Sequence, residues 1–153
     1  MQRKLSVDIG YTRYTYPGTP ASFAYDYGEI VANLGYDFDV FELAGRLRYS
    51  PNSFGASGAS WNKRVLLTVP MDFLKLNAVK LKVYGSVGNL WVERFLQYGV
   101  PSQDYWYWQT GIVASAFGLD LTLAYTDTSI DPAGCGNTAY CSGRLFASIT
   151  KTF

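Results

Sequence analysis

Apolar and polar residues alternate with a period of two along most of this chain, which places successive side chains on opposite faces of a strand. Leu5, Val7, Ile9 and Tyr11 alternate with Ser6, Asp8, Gly10 and Thr12. The same rhythm sets Leu43, Leu47 and Tyr49 against Glu42, Arg46 and Arg48, and Leu81, Val83 and Val87 against Lys80, Lys82 and Tyr84. It returns with Leu119, Leu121 and Leu123 against Asp120 and Thr122, and with Leu145 and Ile149 against Arg144 and Phe146. The pattern predicts eight strands, over residues 5–12, 25–36, 41–49, 61–69, 79–87, 105–117, 119–126 and 144–153. A tilted membrane strand needs ~9–11 residues, and most of these runs reach that length. Soluble strands average only ~5–6 residues.

The connections alternate in length. Residues 14–24, 51–59, 90–103 and 129–142 are long and rich in Gly, Pro, Ser and Asn, whereas 37–40 and 117–118 are tight and 70–76 is intermediate. Short turns at one end and long loops at the other characterise outer-membrane barrels. Aromatic residues gather at both ends of the strands: Tyr14, Tyr25, Tyr49, Trp61, Trp91 and Tyr105 towards the long loops, and Tyr36, Phe38, Phe41, Phe73, Phe117 and Phe153 towards the turns. Two such belts suit the two membrane interfaces. A soluble barrel or sandwich also alternates, but its charged face would point outward. Strand length, loop asymmetry and the two belts favour the inverted arrangement. The expected fold is therefore all-β, a single eight-stranded antiparallel up-and-down transmembrane β-barrel spanning residues 1–153.

Composition sharpens this reading. Only 16% of the 153 residues are charged and 17% are aromatic, against about 25% charged residues in ordinary soluble domains. The net charge of +1 offers no basic surface for nucleic acid. No apolar run approaches the ~18 residues of a membrane-spanning helix. An outer-membrane protein is exported, and no signal peptide precedes the first strand, so a leader is expected to have been removed. The chain has no histidine, which removes Ser-His and Cys-His dyads and the commonest metal ligand. No motif pairs the carboxylates for acid–base work. The expectation is a non-enzymatic protein without metal or cofactor.

The charges that share the less apolar face are Asp8, Glu29, Glu42, Arg46, Arg48, Arg64, Lys80, Lys82, Asp120 and Arg144. In a membrane barrel they would face the lumen. They then form either a selectivity lining that attracts anions or a salt-bridged plug. An eight-stranded barrel is just wide enough for its side chains to fill, which favours the plug. Glu42, Arg64 and Lys80 are expected on one wall, and Arg144 is expected to pair with Asp8 or Asp120 where the last strand meets the first. Cys135 and Cys141 are the only cysteines, separated by five residues in the last long loop. In an oxidising periplasm they read as a loop disulfide rather than two free thiols. The aromatic loops read first as anchors in lipopolysaccharide and head groups, and second as a binding surface.

The segments DIGYTRYTYPG (8–18), YGEIVANLGYDF (27–38), RYSPNSFG (48–55), GLDLTLAYTDT (118–128) and GRLFASITKTF (143–153) together resemble the TorF family of porin-like proteins, which also goes by Gcw_chp. Members of that family carry further strands ahead of the YPG segment, so the resemblance is to their C-terminal part. It implies a bacterial outer-membrane location, lipid and lipopolysaccharide as surroundings, and a small channel of unknown solute. The terminal Phe153 resembles the terminal aromatic through which the barrel-assembly machinery recognises such proteins. Lys151 stands where that signal more often has an apolar residue.

Overall fold

The computed structural model describes residues 4–76 and 78–151. Eight strands follow one another in chain order: β1 (Leu5–Tyr14), β2 (Tyr27–Asp37), β3 (Glu42–Ser50), β4 (Ser60–Pro70), β5 (Lys80–Val92), β6 (Asp104–Ala116), β7 (Leu119–Thr128) and β8 (Arg144–Lys151). They form one antiparallel sheet in which each strand pairs with its sequence neighbours. One four-residue helix, α1 (Phe95–Tyr98), interrupts the β5–β6 connection.

The turns account for the up-and-down order. Phe117 and Gly118 join β6 to β7 with φ of 55° and 75°, the two positive values of a type I′ turn, whose twist matches that of the flanking strands. Between β2 and β3, Asp39 has φ of 66° and its amide donates to the Asp37 carboxylate at 2.8 Å, a local bond by which acidic residues stabilise turns. The longer connections carry short 3-10 turns, and one of them holds the Cys135–Cys141 disulfide between β7 and β8.

The ladders place residues on faces. Arg46 opposes Arg64 and Asn33, Arg64 opposes Gly88, and Gly88 opposes Tyr107. One step along, Val65 opposes Gly45 and Val87, and Val87 opposes Trp108. The charged and polar set therefore shares one face and the large apolar set the other, as the alternation predicts. Burial runs against the habit of soluble proteins. Along the middle of β4, β6 and β7 the polar face is half-buried or buried and the apolar face is exposed. Leu121 is 51% exposed while Val113, on the polar face, is 7% exposed. The four buried apolar residues among those described, Leu90, Val92, Val113 and Ala124, all belong to the polar face by their ladder partners. The polar face is thus the inner face of the sheet.

The two outermost strands differ from the middle ones. Every residue of β8, and every residue of β1 except Tyr14, is exposed on both faces. Among the described residues no ladder joins β8 to β1.

Candidate functional site

The inner face carries the chemistry, and its two ends differ. Towards the long loops it is aromatic. Tyr14 stacks on Tyr27 with ring centroids 4.6 Å apart, and the Tyr14 hydroxyl donates to Glu29 at 3.2 Å. Arg48 completes this group, 3.5 Å from the same Glu29 carboxylate. Tyr107 reaches from β6 across β5 to donate to Asn62 on β4 at 2.7 Å. It can do so because Gly88 lies between them: a Cβ there would stand 2.3 Å from the Tyr107 ring. Tyr84 lies over Gly111 in the same way, its ring 2.8 Å from where a Cβ would stand, and its hydroxyl accepts from Gln109 at 3.2 Å. Glycine removes the side chain that would otherwise occupy the space beneath each ring.

Above this end the long loops lock together. The Gly55 amide donates to the Ala24 carbonyl at 3.1 Å, and the Arg94 amide to the Ser57 carbonyl at 2.9 Å. Gln97 donates to the Gly55 carbonyl at 2.7 Å, and the Glu93 carboxylate accepts from the Ala59 amide at 2.9 Å. Phe54 sits at the centre, stacked on Tyr25 at 4.4 Å and edge-on to Tyr16 and Tyr98. Burial pushes the Tyr98 hydroxyl up to about 12, because the charged phenolate loses water there.

Towards the short turns the inner face opens and becomes basic. An open cavity of about 610 Å³ is lined by Glu42, Arg64, Asp72, Lys80, Lys82 and Tyr84, among others. A second, of about 200 Å³, shares Glu42 and Arg64 with it and adds Asn33 and Arg46.

These contacts place the residues singled out in the sequence. Glu42, Arg64 and Lys80 lie together on one wall. Glu29 and Arg48 form an ion pair, the one such pair within the expected set among the described residues. Asp8 accepts from Asn33 at 2.9 Å, and Arg46 donates to that same side chain at 2.6 Å. Asp120 lines a separate opening beside Lys80 and Gly118. Arg144 departs from expectation, since it donates to the Ala139 carbonyl and not to Asp8 or Asp120. The register explains the second failure: Arg144 opposes Thr126 at one end of β7, while Asp120 opposes Thr150 at the other. Phe153 lies outside the described residues.

The aromatic belts are also redrawn. Tyr49 and Trp61 hold the outer face, 4.4 Å apart, and Trp61 opposes Trp91. Tyr14 and Tyr105 instead belong to the inner face, because they oppose Tyr27 and Leu90. Tyr25 joins the loop layer. At the turn end Tyr36, Phe38 and Phe41 form a consecutive cluster at 4.6 Å spacings.

A family model described as a bacterial protein of unknown function, Gcw_chp, matches residues 1–153. The chain belongs to the Gcw_chp family. No curated protein and no solved structure matches it. For this Gcw_chp protein the inner-face residues Asn62, Tyr107 and Gln109 escaped the sequence reading, and Tyr84 was placed on the polar face without its glycine partner. Their signal was present but faint: each tyrosine–glycine pair becomes visible only once the strand register is known. Among the described residues no group of three or more acidic or cysteine side chains gathers as a metal site would require.

Proposed function

We propose that this Gcw_chp protein is a bacterial outer-membrane β-barrel whose apolar face meets lipid and whose inner face lines a narrow, porin-like lumen. The observation that carries the reading is the inversion of burial. Along β4, β6 and β7 the polar face is the less exposed one, and Val65 and Leu121 stand exposed on the opposite face. In water such a surface would be a large unpaired apolar patch. In a bilayer it is the required one. Lipid also demands that strand edges be paired, so in the membrane the outer edges of β1 and β8 are closed on each other or on further strands. Lipopolysaccharide would surround the outer aromatics, and the assembly machinery would read the last strand through Phe153.

The rival is a closed structural or loop-binding barrel with a plugged lumen. The tyrosine layer and the interlocked loops favour it, because they crowd one end of the inner face. A plug held by salt bridges gains less support, with one ion pair among the expected ten residues. Planar-bilayer recording separates the two. A channel gives steady unitary currents from protein refolded in detergent, and a silent bilayer with well-folded protein would remove the channel reading in favour of the plugged barrel.

A further inference from the structure

Arg46 on β3 and Arg64 on β4 stand directly opposite each other on the inner face. Like charges directly opposed across a ladder destabilise it. Neither is neutralised by a carboxylate: the ion pairs among the described residues are Lys4–Asp39, Arg13–Asp26 and Arg48–Glu29. Their partners are neutral instead. Arg46 Nε donates to Asn33 at 2.6 Å, and Arg64 Nη2 donates to Ser86 at 2.8 Å and to Gln109 at 3.0 Å. Arg64 Nε is buried with no hydrogen-bond partner, a costly state for a charged donor. Both arginines line the same cavity of about 200 Å³, and Arg64 continues into the larger one with Lys80 and Lys82. Glu42 lines both cavities and Asp72 the larger one, yet neither takes part in those ion pairs.

Neutral amides and a hydroxyl hold the two guanidinium groups in place without cancelling their charge. Several N–H donors remain free on each planar fork. An oxyanion is the group that satisfies such an arrangement, since carboxylate and phosphate oxygens match the fork and relieve the repulsion. We propose that Arg46 and Arg64 together bind the carboxylate or phosphate group of a small soluble anion. Lys80 and Lys82 would draw it in from the turn end of the groove. The inference rests on the reading of the inner face as a lumen, and it gives that lumen a class of solute.

Thermal unfolding in neutral detergent tests it, with inorganic phosphate titrated against chloride at matched ionic strength. The wild-type midpoint should rise with phosphate and saturate, as binding to the folded state alone requires. Arg46→Gln and Arg64→Gln should each weaken the effect by about 10- to 100-fold, while melting no lower than wild type in chloride because a repulsion has gone. Arg64→Lys, which keeps the charge but loses the fork, provides a second route if a glutamine variant fails to refold, and it too should bind phosphate more weakly. Arg94→Gln, in the exposed loop, should leave the phosphate response unchanged. A wild-type midpoint indifferent to phosphate, or an equal shift in the Arg46 and Arg64 variants, would overturn the proposal. The channel reading fails separately: a silent bilayer beside intact phosphate binding removes the channel and keeps the arginine site. Steady currents without any phosphate response do the reverse.

Discussion

At the level of single side chains, the inner face depends on where side chains are missing. Tyr107 bridges β6 to β4 only because Gly88 leaves room beneath its ring, and the bridge ends in a 2.7 Å hydrogen bond to Asn62. Gly88→Ala forces the ring aside and strands the hydroxyl. The expected cost is about 1–3 kcal/mol, as for other overpacked sites, read from urea unfolding of detergent-folded protein. Gly45→Ala is the comparator. Nothing lies within 4 Å of a Cβ there, so its effect should stay within about 0.5 kcal/mol. Equal effects from the two substitutions would remove the structural role given to the tyrosine–glycine pairs. Glycine count alone, 15 in this chain, could not single out these two positions. Only the ladder partners do.

At the level of strands, alternation specifies faces with little ambiguity, because a slip of one residue would turn every side chain over. The two faces can therefore be tested against each other on β7. Leu121 on the outer face and Thr122 on the inner face are neighbours in sequence. Arginine at Leu121 should cost ~2–4 kcal/mol if that position lies at the bilayer midplane. Arginine at Thr122 should cost less, because it faces the polar side of the sheet. Folding yield into vesicles, followed by urea titration, reads both. A larger penalty at Thr122 would reverse the assignment of faces. Strand ends were less legible than faces. The fifth strand was expected to stop at residue 87 and runs to Val92. Gly88 and Asn89 look like loop residues in the sequence, but Gly88 makes room for Tyr107, and Asn89 donates to Asp104 and to the Tyr105 carbonyl. Leu90 and Val92 then bury on the inner face beneath the loops.

At the level of the whole molecule, burial and polarity are opposed. A protein with four buried apolar side chains among its described residues cannot draw much stability from a hydrophobic core in water. Its exposed apolar face invites association. The expected behaviour is aggregation in detergent-free buffer and a monodisperse particle in detergent, as sedimentation velocity would show. A stable, monodisperse monomer in plain buffer would sink the membrane reading, whatever the bilayer recordings give.

The sequence by itself determined the all-β class, the number and order of strands, the side of each strand that carries charge, and the loop that holds Cys135 and Cys141. These are local properties: a period of two, turn residues and the spacing of two cysteines act over a few neighbours. Alternation is the same for either choice of buried face; strand length, loop asymmetry and the two belts favoured a buried polar face, and the tertiary structure shows one along β4, β6 and β7. Tertiary structure alone decided that Arg46 meets Arg64 while Arg144 turns to its own loop, and that Tyr14 and Tyr105 point inward. Those outcomes follow from strand register and loop packing, which join residues far apart in the chain and leave no mark on any one segment of it.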